Sequence, residues 1–158
     1  MIGLGWDSHR LEPGRRLVLG GVEIPGPMGL AGHSDADVLT HAIMDALLGA
    51  AGLGDIGERF PDTDPRYRDA DSIELLRGLV AELADLGMAV AHVDSTVLME
   101  RPRLADHKAA MRERLADALG TPPSRVNVKA STGEGMGFVG RGEGVAALAV
   151  ARLAPAAA

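Results

Sequence analysis

A chain of 158 residues, 46% hydrophobic and 24% charged, has the length and balance of one globular domain and can bury about 70% of its unfolded surface without staples. It has no cysteine, which excludes disulfides, thiolate zinc sites, iron–sulfur clusters and a cysteine nucleophile together, so any metal must be held by histidine and carboxylates. The formal net charge of −6, without a basic block, argues against nucleic acid as a partner. No apolar run approaches the roughly 18 residues a membrane helix needs, and strand-like sequence from Ile2 leaves no room for a leader peptide. The expectation is a soluble, cytoplasmic protein with an aliphatic core, since only one Trp, one Tyr and two Phe are present.

Residues 2–8 read as a first strand and 16–24 as a second, joined by a Pro-Gly turn at 13–14. A strong helix spans 35–51, with Ser34 or Asp35 as N-cap and Gly52 ending it. A long Gly/Pro/Asp-rich segment without period follows, from Gly52 to about Asp69, and such a stretch in a compact domain is functional or mobile. A second helix covers 72–86; Asp71 and Glu74 match a capping box, and Ile73, Leu76, Leu79, Val80 and Leu83 give its apolar face. A strand at 89–99, a helix at 105–119 closed by Gly120, a strand at 125–131, a Gly-rich loop and a last strand at 143–152 complete the chain. This order predicts an α/β (α+β) two-layer sandwich in one domain, a four- to five-stranded mixed sheet with helices on one face. The other face is left free, and a homo-oligomer interface is its simplest use.

Asp7 and His9 are two apart on a strand and share a face. On the first helix, Asp37, His41 and Asp45 fall at i, i+4 and i+8 and form one polar stripe on an otherwise apolar helix. Such a stripe looks into a site or lies on a solvated face. Two histidines and one carboxylate suit zinc and leave a fourth position open, as a catalytic zinc requires. Asp37 or Asp45 is positioned to orient His41 from behind. His92 and His107 have no carboxylate pattern around them and read as ordinary structural or surface residues. His33 stands at the mouth of the helix, where the N–H groups of Ser34 and Asp35 would favour an anion or simply form a cap.

Two loops carry further polar groups. Residues 54–64 combine a turn at Asp55–Gly57 with Asp62 and Asp64, which reads as a capped turn or as a cradle for a polyol. Residues 129–134 leave a strand with hydroxyls and free N–H groups, and Glu134 suits a hard cation such as Mg²⁺. Gly135 to Gly140 spell GxGxxG, yet the run leads into a strand late in the chain, so dinucleotide binding is rejected.

Taken together, these segments resemble the 2-C-methyl-D-erythritol 2,4-cyclodiphosphate synthase family over essentially the whole chain. The likeness is carried by Asp7-Ser8-His9, by His33-Ser34-Asp35-Ala36-Asp37 with His41, and by Asp45-Ala46-Leu47-Leu48-Gly49. It continues through Asp55-Ile56-Gly57, Phe60-Pro61-Asp62-Thr63-Asp64, Asn127-Val128-Lys129-Ala130 and Gly140-Arg141-Gly142-Glu143-Gly144.

The resemblance implies zinc ligands at Asp7, His9 and His41, transition-state stabilisation by His33 and Thr132, and a second cation, Mg²⁺ or Mn²⁺, at Glu134. Asp55 to Gly57 and Phe60 to Asp64 match the methylerythritol pocket, with Ser8 and Ser34 beside it. Ser131, Thr132, Gly133 and Glu134 match the diphosphate side, and the loop from Met99 through Arg103 to Ala105 matches the cytidine site. It also implies a homotrimer with active sites between subunits, and an axial cavity lined by Phe138 and Arg141 that accepts isoprenoid diphosphates. Departures from the family pattern are Arg103 for a common Lys, Ser131 for Thr, Ala36 for Gly, and Val139 where a polar residue is frequent.

The implied reaction converts 4-diphosphocytidyl-2-C-methyl-D-erythritol 2-phosphate into the cyclic diphosphate with release of CMP, in non-mevalonate isoprenoid biosynthesis. The nucleophile belongs to the substrate, which accords with a chain showing no activated Ser or Cys; positioning and charge neutralisation remain for the protein. The rival readings are a non-catalytic isoprenoid-diphosphate binding protein and a metal-dependent phosphohydrolase.

Overall fold

The structure is a computed structural model and describes residues 1–156. In chain order its elements are β1 (Ile2–Pro13), β2 (Leu17–Leu19), β3 (Val22–Ile24), β4 (Met28–Leu30), α1 (Val38–Ala51) and α2 (Ile56–Arg59). They continue with α3 (Ser72–Asp85), β5 (Met88–Leu98), α4 (Lys108–Leu119), β6 (Val126–Ser131), α5 (Gly137–Gly140) and β7 (Gly144–Pro155).

Five strands form the expected mixed sheet in the order β4-β1-β7-β5-β6. The β5–β6 pair is parallel, joined by the crossover helix α4, and the other pairs are antiparallel. In β1 the side chains alternate: Gly3, Gly5, Asp7 and His9 turn inward, and Ile2, Leu4 and Trp6 turn to the open face. α1 packs on β1 and β7, α3 on β5, and α4 on β6, so these helices cover one face. The core between the layers is aliphatic, as expected, built on Leu39, Ile43, Met44, Leu47 and Leu48 of α1 with Ile73, Leu76 and Leu79 of α3.

α1 meets β1 at a distance only glycine permits. A Cβ on Gly5 would stand 2.6 Å from the Ala46 N, and Gly3 faces the backbone of Ala46 and Ala50 in the same way. This close approach brings His41 on α1 over Asp7 and His9, the next inward positions of β1.

Several local expectations are corrected. Residues 16–24 are not one strand: they fold into the β2–β3 hairpin, which turns on Gly20 and Gly21 at φ of 57° and 72°. The N-cap of α1 is Asp37 rather than Ser34 or Asp35, because Asp35 is drawn to Ser72 while the Asp37 carboxylate accepts from the Thr40 N–H at 3.0 Å. Between them Ala36 takes φ 55°, a left-handed conformation that glycine adopts more readily than alanine. The box expected at Asp71 and Glu74 is half made, with Asp71 accepting from the Ile73 N–H. The reciprocal box forms instead at Asp55 and Glu58, where it caps α2 inside the segment that lacked a period. The Gly135–Gly140 run does contain one helical turn, α5, but it links β6 to β7 and opens no βαβ unit.

Candidate metal centre and flanking clefts

Asp7 Oδ2 lies 2.8 Å from His9 Nε2 and 3.0 Å from His41 Nδ1, and the two ring nitrogens are 3.2 Å apart. Among the described residues this is the one group of histidines and carboxylates found to converge as metal ligands do. Donors bound at 2.0–2.1 Å to a tetrahedral zinc stand about 3.3 Å from one another, so the triangle fits a single divalent ion. The donor chemistry fits as well. His9 Nδ1 lies 2.8 Å from the Ala31 carbonyl and donates to it, which leaves the Nε2 lone pair facing the cluster. The Ser8 N–H donates to the other Asp7 oxygen at 2.8 Å.

Electrostatics within the triad follow from burial and pairing. Burial acts to raise the Asp7 carboxyl, but hydrogen bonds and charge from His41 and His9 outweigh it and hold the group at about 2. For His9, burial acts to lower the imidazole, and the Asp7 carboxylate overcomes this and raises it. The Asp7 carboxylate is thus ionised and faces the centre of the triad, while the proton that Asp7 favours on His9 is one that an entering metal ion displaces.

The other two members of the helical stripe do not orient His41. Asp37 is fully buried and accepts from the N–H groups of Gly20, Gly21 and Thr40 and from the Thr40 hydroxyl, which ties the β2–β3 turn to α1. Burial pushes its carboxyl up despite these donors. Asp45 Oδ1 accepts from the Ile56 N–H at 3.3 Å and holds the start of α2.

A cleft of about 420 Å³ opens beside the triad, lined by Asp7, His9, Gly32, His33, Ser34, His41, Ile56, Gly57, Phe60, Pro61, Asp62, Tyr67 and Leu75. Of the residues expected at the methylerythritol part, Ile56, Gly57, Phe60, Pro61 and Asp62 thus line one cleft with Asp7, His9 and His41. Asp55, Thr63 and Asp64 are not part of its lining: Asp55 caps α2, and the Asp64 carbonyl accepts from His33 Nε2 at 3.1 Å. Ser8 points to the opposite face of β1. Gly32, Tyr67 and Leu75 were not anticipated from sequence; the Phe60–Tyr67 edge-to-face contact at 5.3 Å was invisible there because only the fold brings the two rings together.

A second cleft of about 390 Å³ is lined by Met99, Glu100, Pro102, Arg103, Leu104, Ala105, Lys108, Ala130, Ser131, Thr132 and Glu134. Gly133 lies behind it, donating its N–H to Glu100 at 2.9 Å. The two clefts have no residue in common. Phe138 on α5 and Arg141, paired with Glu143 at 2.8 Å, belong to neither. His92 lies exposed on β5, away from both clefts.

A mixed sheet whose first strand and first helix converge on a two-histidine, one-carboxylate group, with a cleft at its side, defines a small α/β protein with a candidate metal centre. Within that class the chain belongs to the YgbB family, whose family model matches residues 1–154. The 2-C-methyl-D-erythritol 2,4-cyclodiphosphate synthase of Symbiobacterium thermophilum is 60% identical over 154 residues, 98% of either chain. The bifunctional enzyme IspD/IspF of Anaeromyxobacter dehalogenans is 61% identical over 155 residues; they make up 98% of this chain, which spans 40% of that longer protein. A solved structure of 2C-methyl-D-erythritol-2,4-cyclodiphosphate synthase in a CDP-bound form matches with a TM-score of 0.89 and 41% identity over 98% of this chain and 100% of the other.

Proposed function

We propose that this chain cyclises 4-diphosphocytidyl-2-C-methyl-D-erythritol 2-phosphate to 2-C-methyl-D-erythritol 2,4-cyclodiphosphate. It is a lyase of isoprenoid precursor biosynthesis, the activity named for its full-length relatives. An oxygen of the substrate's 2-phosphate bonds to the β-phosphorus, the bond from that phosphorus to the bridging oxygen breaks, and CMP leaves with the electron pair.

The observation that carries this reading is the division of the polar residues between two clefts that share none. One substrate with a cytidine at one end and a branched polyol phosphate at the other needs both. They are completed when copies pack, the triad of one subunit against Ser131–Glu134 of a neighbour. A homotrimer is the assembly we assign, through the face bearing Leu4, Trp6 and Val150, with an axial cavity at Phe138 and Arg141 for isoprenoid diphosphates.

When bound, zinc at Asp7, His9 and His41 and Mg²⁺ or Mn²⁺ at Glu134 supply Lewis acidity and charge neutralisation for the phosphates. The chain's own groups position the rest. The Asp55–Gly57 turn and Phe60–Asp64 hold the methylerythritol part, with Ser34 flanking; the Ser8 side chain lies on the other face of β1, and its N–H holds the Asp7 carboxylate. Met99, Arg103 and Ala105 hold the nucleotide, where the Arg103 guanidinium offers a planar fork instead of a point charge. His33 and Thr132 donate hydrogen bonds to the charge that develops in the transition state. We read the enzyme as cytoplasmic, in keeping with its cysteine-free composition.

Incubating the purified protein with the cytidine substrate and Mg²⁺, with and without a zinc chelator, tests the proposal. CMP and the cyclic product should appear in equal amounts and stop on chelation, and His41→Ala should abolish CMP release. Wild-type turnover by that variant removes the enzyme reading, and orthophosphate in place of the cyclic product makes the protein a hydrolase.

A further inference from the structure

We propose that Ser72 and Asp35 are positioning residues of the metal centre, a relay that fixes the His41 ring with Nδ1 toward the ion. The inference rests on reading Asp7, His9 and His41 as metal ligands. His41 Nδ1 faces the triad, and on the far side of the ring Nε2 lies 2.8 Å from Ser72 Oγ and 3.3 Å from Ser34 Oγ. A ligating Nδ1 must keep its lone pair, so Nε2 carries the proton and donates it to the nearer oxygen, Ser72 Oγ. The single hydroxyl proton of Ser72 is then directed onward, and it points to Asp35 Oδ1 in a short hydrogen bond. The second Asp35 oxygen accepts from the Ser72 N–H at 3.0 Å. Asp35 thus grips hydroxyl and backbone of one residue, which leaves an oxygen lone pair aimed at the imidazole.

The relay is built into the fold rather than laid on its surface. Ser72 is fully buried as the first residue of α3, directly after the N-cap Asp71. Asp35 sits in the turn before α1, next to Ala36 with its left-handed backbone. The two histidines are held by different means: His9 by a backbone carbonyl, His41 by side chains alone. They also present opposite nitrogens, Nε2 from His9 and Nδ1 from His41. A freed His41 ring could turn about its Cβ–Cγ bond, and the Nδ1 lone pair would leave the site.

The test measures zinc affinity by competition with a chromophoric chelator for wild type, Ser72→Ala, Asp35→Asn and the double variant, with thermal unfolding of the zinc-free proteins alongside. Groups that hold a ligating histidine from behind contribute about 10–100-fold to metal affinity, so Ser72→Ala should raise the zinc Kd by that factor and Asp35→Asn by less. Because Asp35 acts through Ser72, the double variant should bind zinc no more weakly than Ser72→Ala. The Co²⁺-loaded variants should show an altered visible spectrum. A lowered melting temperature with a wild-type zinc Kd, or losses that add in the double variant, overturns the relay. If Ser72→Ala fails to fold, the Kd of Asp35→Asn decides by the same criterion. A wild-type chain that takes up no zinc overturns the metal reading beneath it, which separates the two failures.

Discussion

Gly5→Ala adds one methyl group at the contact that sets the metal centre. Gly5 faces α1 two residues before Asp7 on the same side of β1. The new Cβ would stand 2.6 Å from the Ala46 N and 2.9 Å from the Ala42 carbonyl carbon, and closer still to the Ala42 oxygen. All three are helix backbone, so no side chain can rotate away. Restoring an ordinary contact of about 3.4 Å with the Ala42 oxygen, the nearest of the three, requires α1 to lift from β1 by about 1.5 Å. That motion separates His41 from Asp7 across a pair now 3.0 Å apart, whereas metal–ligand distances tolerate about 0.2 Å. Overpacking of this kind costs about 1–3 kcal/mol of stability, and a misplacement near 1 Å costs about 10²-fold in turnover. Gly3→Ala presses on the same helix one turn farther on and should lower stability by a similar amount while disturbing the ligands less. Melting of the zinc-free proteins, chelator-competition zinc Kd and CMP release read the three quantities. Wild-type zinc binding by Gly5→Ala refutes the reasoning, as does an equal loss of zinc affinity in Gly3→Ala.

Asp37→Ala leaves three backbone N–H groups and one hydroxyl without their acceptor in a buried site, and at about 1–3 kcal/mol per orphaned group, eased by relaxation, the expected loss in urea unfolding is about 3–5 kcal/mol; a loss under about 1 kcal/mol shows that water replaces the carboxylate. In the zinc-free protein, Asp7 falls from 3.8 unfolded to about 2 folded, so its contribution of about 2 kcal/mol is present above pH 3.8 and lost as pH falls toward 2. His9, raised above 6.5, contributes below that pH and loses its contribution as pH climbs through the raised value. Unfolding free energy should therefore peak between these limits, and Asp7→Asn should flatten the acid limb; parallel curves for wild type and variant contradict the pairing. Trp6→Glu places a charge amid the open apolar face, so sedimentation should show smaller species than for wild type, and an unchanged mass removes that face from the assembly.

The parts of the fold legible in sequence were those with a period. α3 shows an apolar stripe, the end of α1 is marked by Gly52 at φ 71°, and β5, β6 and β7 read as runs of small and branched residues. What escaped was set by contacts between distant residues. The N-cap of α1 moved to Asp37 because Ser72, 37 residues beyond Asp35, claims the nearer carboxylate. β4 is three residues long and exists because β1 runs on to Pro13 and offers it an edge. α2 has no apolar stripe and is held by its capping box and by Asp45. The convergence of Asp7, His9 and His41 was legible because chemistry restricts which residue types bind metals, and a two-residue spacing on a strand fixes a common face. The groups behind His41 were not, since an Asp–His–Asp helical stripe suggests partners from the same helix, whereas the ring is held from α3.

The period of β1 links the chemistry to the assembly. Its inward positions carry Gly3, Gly5, Asp7 and His9, and its outward positions carry Ile2, Leu4 and Trp6. Across the sheet, Leu4 pairs with Val150 and Trp6 with Leu148, so the outward residues extend into an apolar patch over β1 and β7. On β5 and β6 the same face turns polar, where Lys129 meets Asp94 at 2.7 Å. A one-residue slip of β1 against β7 would bury Trp6 against α1 and expel both β1 ligands, so selection for either face preserves the other. If a neighbouring subunit supplies the second cleft, as proposed, the strand that carries Asp7 and His9 also presents the surface on which that neighbour docks. The distance between the two halves of the site is then governed by the rigidity of one sheet, and substitutions on the open face should lower turnover without touching a ligand.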